Sequence, residues 1–178
     1  MRSVPIIETP RLRLRAHDLL DLDASASMWA DPNVTRFIGS PSALQQSWSR
    51  MRGYAGLWAY LGYGYWVIEE IATQTFVGEV GFADFKRDIA PSMCDVPELG
   101  WALVSSAHGK GYATEAARAA LDWGDANLPS LRTVCMIDAE NRASLRVAEK
   151  CGFSHFDSTV VGENVVMFFE RQRDGSAT

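Results

Sequence analysis

The chain predicts a mixed α/β domain of the α+β kind, with one central mixed sheet of about seven strands and about four flanking helices. Three observations predict it. Period-2 and β-branched runs alternate with helical periodicity in the order βααβββαβαββ. No internal repeat, low-complexity tract or linker divides the 178 residues, so a single domain over 1–178 is expected. A composition of 47% hydrophobic and 22% charged residues is that of a globular chain able to bury one core.

Taken in order, Leu12 and Leu14 alternate with Arg11, Arg13 and Arg15, a strand with one wet face. Asp18 is placed to cap a helix running to about Asp31, where Pro32 discourages continuation. A second helical stretch spans Ser42 to about Leu61, weakened by Gly53 and Gly56, so that two pieces or a movable segment are both open. Strands follow at Tyr65–Ile71, Phe76–Phe85 and Glu98–Val104, the first two closing a hairpin through Ala72 to Thr75. Residues between Phe85 and Pro97 read as a polar loop. A helix from Thr114 to about Asn127 is stopped by Pro129, and a buried strand covers Thr133 to Ile137. The last helix, Asn141 to Cys151, ends at Gly152 as a left-handed stop with Phe153 as its hydrophobic partner. Phe156–Val161 and Val165–Arg171 form a closing hairpin around Gly162-Glu163-Asn164.

A net charge of −5, with no basic arm or acidic tail, argues against a general nucleic-acid binder. Cys94, Cys135 and Cys151 are odd in number and lack CxxC spacing, so reduced thiols are expected and neither a disulfide framework nor a zinc site. Arg11 to Arg15 put charge where a signal peptide needs an apolar core, and no run is long enough to span a membrane. A cytoplasmic protein without a metal is the expectation.

The chemistry-bearing segment is Ala107-His108-Gly109-Lys110-Gly111-Tyr112-Ala113-Thr114, which leaves a strand and opens a helix. Glycines at 109 and 111 allow a ligand close to the backbone. Amides of such a turn and the free N–H groups of the helix start converge on one spot, where the helix dipole favours phosphate. The spacing is neither the GxGxxG of a dinucleotide fold nor the GxxxxGK[ST] of a P-loop. On its own, the turn is equally well explained by geometry.

Its surroundings decide between the two. Glu98-Leu99-Gly100-Trp101-Ala102-Leu103-Val104 enters the turn; Asn141-Arg142-Ala143-Ser144 and Glu149-Lys150-Cys151-Gly152-Phe153 follow its helix. With Glu8-Thr9-Pro10-Arg11-Leu12-Arg13-Leu14-Arg15 and Val77-Gly78-Glu79-Val80-Gly81-Phe82, they resemble the GNAT acetyltransferase superfamily, in its RimJ/RimL-like branch. The resemblance implies the GNAT fold, splayed between the strands near Leu103 and Thr133, and acetyl-CoA as donor. It implies cofactor contacts from Leu103, Val104, His108, Gly109, Lys110, Gly111, Tyr112, Ala113, Thr114 and Asn141. His108 stands where Gln or Arg is usual, and Asn141 doubles as a good helix N-cap. Ala148 occupies the position of the superfamily's tyrosine acid, so that acid is absent. Ser144, in the branch's Asn-x-x-Ser pattern, is expected near the sulfur.

Acyl transfer from a thioester needs a neutral amine, a polarised carbonyl and a stabilised thiolate. An N–H near Leu103 or Val104 is expected to meet the developing oxyanion. Glu98 is the first candidate base, with Glu79, Asp84 and Asp138 behind it. The aromatics Trp58, Tyr60, Tyr63, Tyr65 and Trp66 wall the acceptor pocket or fill the core, and Arg36, Arg50 and Arg52 are candidates to meet an acidic acceptor. Three functions stay open: acetylation of a protein or peptide N-terminus, acetylation of a small-molecule amine, and a non-catalytic acyl-CoA sensor. No direct nucleic-acid or membrane partner is expected, and a homodimer is plausible by resemblance.

Overall fold

A computed structural model describes residues 3–173. Its strands are β1 (Ile7–Glu8), β2 (Leu12–Arg15), β3 (Tyr65–Glu70), β4 (Thr75–Ala83), β5 (Glu98–Leu103), β6 (Arg132–Asp138), β7 (Ser154–Val161) and β8 (Asn164–Gln172). Its helices are α1 (Leu22–Ala30), α2 (Pro32–Thr35), α3 (Leu44–Leu61), α4 (Tyr112–Asn127) and α5 (Arg142–Lys150). All eight strands join one sheet in the order β1-β2-β3-β4-β5-β6-β8-β7. Every pairing is antiparallel except β5 with β6.

The sheet thus has one strand more than expected. Thr9 Oγ1 closes the turn between β1 and β2 by donating to Leu12 O, and the two-residue β1 is too short to leave a period in the sequence. The first helix is also divided. Asp18 caps a 3-10 turn at Leu19–Asp21, and α1 starts only at Leu22. Pro32 does not simply end that helix: Asp31 turns to extended backbone and caps α2, with Pro32 in its first turn, where a missing N–H costs nothing. In contrast, α3 runs unbroken through Gly53 and Gly56, where an added Cβ would meet nothing within 4 Å.

The helices cover both faces of the sheet. Phe82 of β4 packs against Gly124 of α4, whereas Glu79, an odd number of residues away, meets Ser25 and Trp29 of α1. Ala116, Ala117 and Ala120 are fully buried on α4 and let that helix lie close to the strands. Trp58 of α3 joins the core on the α4 side, while Tyr54 of the same helix stacks on Tyr65 on the other, at 4.4 Å. Cys135 and Cys151 are buried free thiols, and Cys94 is an exposed one. No helix among the described residues is long and apolar enough to cross a membrane.

Candidate active site

Among the described residues β5 and β6 are the only parallel neighbours, and they separate almost as soon as they meet. Their register contains the single pair Glu98 and Val134, held by the Val134 N–H on Pro97 O at 3.0 Å. Beyond it β5 stays on β4 as far as Leu103, and β6 stays on β8 as far as Asp138. The two edges facing the gap therefore carry backbone groups available to a ligand that lies between them as an added strand would. Alternation settles which groups those are. Val104 N–H donates back to Val77 O on β4, so Leu103 and Trp101 turn theirs towards the gap. Of the two amides expected to meet an oxyanion, Val104's is already taken, and Leu103's is left.

The turn at the wide end of the gap is fixed from both sides. Gly109 and Gly111 hold φ of 75° and 81°, the left-handed region in which glycine carries no Cβ penalty. Gly111 is the N-cap of α4, so Tyr112, Ala113 and Thr114 present first-turn N–H groups with no intrahelical acceptor. His108 explains its departure from Gln or Arg: its Nε2 donates to Leu103 O at 2.9 Å and ties the turn to the splayed strand. On the outer side Arg11 donates to Lys110 O at 3.0 Å, pairs with Glu115 at 2.6 Å, and lies over the Tyr112 ring. Tyr112 donates its hydroxyl to Glu70, which raises the phenol's pKa above its ordinary value.

A cleft of about 500 Å³ runs from this turn to the start of α5, lined by His108, Gly109, Gly111, Tyr112, Ala113 and Thr114. Leu103, Asn141 and Ser144 also line it, whereas Val104 and Lys110 do not. Asn141 accepts from the Ser144 N–H at 3.1 Å and so is a helix cap while it lines the cleft. Ala148 is completely buried in the core, which leaves no room for a tyrosine acid there.

A second cleft, about 670 Å³, opens on the α1 side of the sheet. The two clefts share Phe37, Ile38, Trp101, Ala102, Asn141 and Ser144, so they meet above the gap at the first turn of α5. Phe37 and Ile38 follow α2, a segment the sequence marks only by its Asp31-Pro32 break. The second cleft reaches Glu79, Glu98 and Asp138 but not Asp84, which pairs with Lys86 at 2.7 Å. Glu98 is buried, and both its oxygens accept from Arg87 at 3.1 Å, a fork that holds it in place. Asp138 Oδ1 caps the turn into α5 by accepting from the Glu140 N–H. Of the aromatics, Tyr65 lines this cleft together with Trp29 and Tyr54, whereas Trp58 and Trp66 belong to the core and Tyr60 faces solvent.

Glu79 is 1% exposed. It accepts from Ser25 Oγ at 2.7 Å and Trp29 Nε1 at 3.0 Å, with His17 Nε2 at 3.5 Å. Burial opposes its charge, yet the bonding by His17, Ser25 and Trp29 outweighs it and holds the carboxyl below its ordinary 4.5. A folded-state value below the unfolded one gives stability that is present above the unfolded pKa and lost as pH falls through the folded one. Glu79→Gln should therefore lower the melting temperature most near neutrality. The difference from wild type should close below about pH 4 in thermal melts across pH. A difference that widened in acid would contradict this account.

Among the described residues no group of three His, Cys, Asp or Glu is arranged to hold a metal ion. Two clefts therefore meet, one beside the left-handed glycine turn and one reaching buried carboxylates, with room for two ligands side by side. The family model described as an acetyltransferase (GNAT) domain matches residues 11–154, and the chain belongs to that family. It is an acyl-CoA-dependent N-acyltransferase. Over 173 residues it is 31% identical to the uncharacterized protein YkkB of Bacillus subtilis (strain 168), covering 90% of this chain and 91% of that one. The crystal structure of an acetyltransferase from Agrobacterium tumefaciens str. C58 superposes with a TM-score of 0.82 at 27% identity, covering 97% of each chain. RimL, a ribosomal L7/L12 alpha-N-protein acetyltransferase in complex with coenzyme A, has the same fold. Its TM-score is 0.79 at 18% identity, over 97% of this chain and all of that one.

Proposed function

We propose that the chain acetylates the α-amine of a protein or peptide N-terminus. The observation that carries the proposal is the junction of the two clefts at Trp101, Ala102, Asn141 and Ser144. There an acceptor entering from the α1 side of the sheet reaches a donor lying in the β5–β6 gap. Acetyl-CoA supplies an acetyl thioester to the attacking amine and leaves as the free thiol. The left-handed glycines and the free amides of Gly109 to Thr114 fit its pyrophosphate, and the open edge of β5 fits its pantetheine arm.

This chain's residues divide the work. Leu103 N–H, on the gap edge, polarises the acetyl carbonyl. Asn141 fixes the first turn of α5, and Ser144 Oγ donates a hydrogen bond to the departing sulfur, while the proton lost by the amine passes through water to Glu98. Glu98 serves through water, because Arg87 occupies both its oxygens yet leaves lone pairs free. Glu79 is too firmly bonded, and its carboxyl held too low, to act as a strong base. An α-amine, which titrates near neutrality, asks less of a base than a lysine, which titrates about three units higher. The RimL likeness supports a protein acceptor at the level of fold.

Thiol release from acetyl-CoA over a panel of peptides, Nα-blocked lysine peptides and small amines tests the reading. Turnover confined to free α-amines of peptides is the expected result. Turnover on small amines alone assigns a metabolite acceptor instead, and binding of acetyl-CoA without turnover assigns a sensor. With an active acceptor in hand, Ser144→Ala should lower kcat about tenfold or more and leave the affinity for acetyl-CoA unchanged. An unchanged kcat would remove Ser144 from stabilisation of the leaving sulfur.

A further inference from the structure

The second cleft contains a cation that, among the described residues, forms no ion pair. Arg50 projects from α3 into that cleft with its guanidinium stacked on the Trp29 ring, 3.9 Å from the centroid. Its Nη1 is buried and, among the described residues, has no hydrogen-bond partner. Its Nη2 has one long bond, to Ser42 Oγ at 3.3 Å. No carboxylate among the described residues lies within ion-pair distance of it, in contrast to Arg87, which is taken by Glu98, and Arg15, which is taken by Asp21 and Glu69. Of the carboxylates that line the same cleft, Glu79 has its oxygens engaged by Ser25 and Trp29, and Glu98 by Arg87.

A buried donor left unpaired costs the desolvation of that group, and a guanidinium pays more than a neutral donor. Its planar fork matches a carboxylate, and stacking on Trp29 holds the fork in one orientation. The position is close to the reacting centre. Trp29 donates to Glu79, and Glu79 is the cross-strand partner of Ala102, which lies where the two clefts meet. Arg36 adds a second, exposed cation at the rim of the same cleft.

We propose that Arg50 binds a carboxylate of the acceptor, so that the substrate is an amine carrying a carboxylate close to the amino group. The assignment rests on the acetyl-transfer reading of the site and deepens it. Two sources present that chemistry: the α-carboxylate of a free amino acid, and the side-chain carboxylate of an acidic residue at or next to a peptide N-terminus.

The test compares kcat/KM for matched acceptors with and without the carboxylate: alanine against alaninamide, and Ala-Asp-amide against Ala-Asn-amide. Wild-type enzyme is expected to prefer the carboxylate member of one pair by about tenfold or more, chiefly through KM. The pair that shows the preference identifies the source. Arg50→Met should reduce that preference to near unity, while Arg50→Lys keeps part of it. Thermal melts and acetyl-CoA affinity of both variants separate a lost contact from a lost fold. No preference in either pair, or a preference that survives Arg50→Met in folded enzyme, overturns the proposal. Failure of every acceptor while acetyl-CoA binds sinks the acetyl-transfer reading of this site.

Discussion

Gly111→Val should raise the dissociation constant for acetyl-CoA about a hundredfold while leaving the protein folded. Gly111 sits at φ 81° as the N-cap of α4, and a β-branched residue there bears roughly 1–3 kcal/mol of backbone strain. Nothing else opposes the side chain, since an added Cβ would have only Arg11 Nη2 near it, at 3.5 Å. The strained turn relaxes towards negative φ, and that rotation moves the amides of Tyr112, Ala113 and Thr114 off their common focus. Losing two charge-assisted hydrogen bonds at about 1.5 kcal/mol each corresponds to roughly two decades of affinity. Titration calorimetry of wild type and variant measures the change, and circular dichroism checks the fold. Gly111→Ala should move affinity in the same direction by less. An affinity untouched by valine would remove the turn from the donor site, whatever the family.

The turn was legible because its signal is local. Two glycines, a helix start and an entering strand are written in consecutive residues, and local rules suffice to place them. The same holds for Asn141, Ser144 and the Gly152 stop. What the sequence did not show depends on contacts between distant segments. Glu98 stands at a strand start that suggests a base, but the Arg87 fork on it comes from a loop eleven residues upstream with no pattern of its own. His108 looks like a departure until β5 is seen to turn Leu103 O towards it. The division of α1 from α2 was half visible in Asp31-Pro32: the break was readable, and the resumption of the helix beyond it was not. Asp31 accepts from Ser105 beside the turn, a contact spanning 74 residues, which places Phe37 and Ile38 over both clefts. Fold class followed from periodicity, and the geometry of the glycine turn from local motifs. The second cleft is assembled from α1, α3, the segment that follows α2, and strands β3, β4, β5 and β6, and no single stretch of sequence contains it.

The aromatic cluster shows the same limit, and it yields the largest expected effect on stability. Trp58, Tyr65 and Trp66 are equivalent in a sequence, yet alternation on β3 sends the adjacent Tyr65 and Trp66 to opposite faces. Trp66 is completely buried. It meets Trp58 edge-on at 4.8 Å and Trp123 at 5.1 Å, and its indole N–H donates to Pro5 O at 2.9 Å. Trp66→Ala should therefore cost about 3–5 kcal/mol, from lost burial and the cavity left behind. That is a large share of the roughly 5–15 kcal/mol a domain has in all. At about 2–4 °C per kcal/mol for a chain of this size, the melting temperature should fall by roughly 6–20 °C. The acceptor KM, measured well below the transition, should stay within about twofold, because no part of Trp66 lines either cleft. A wall residue would give the opposite pattern, a raised KM with stability little changed, and that result would place Trp66 in the acceptor pocket and not in the core.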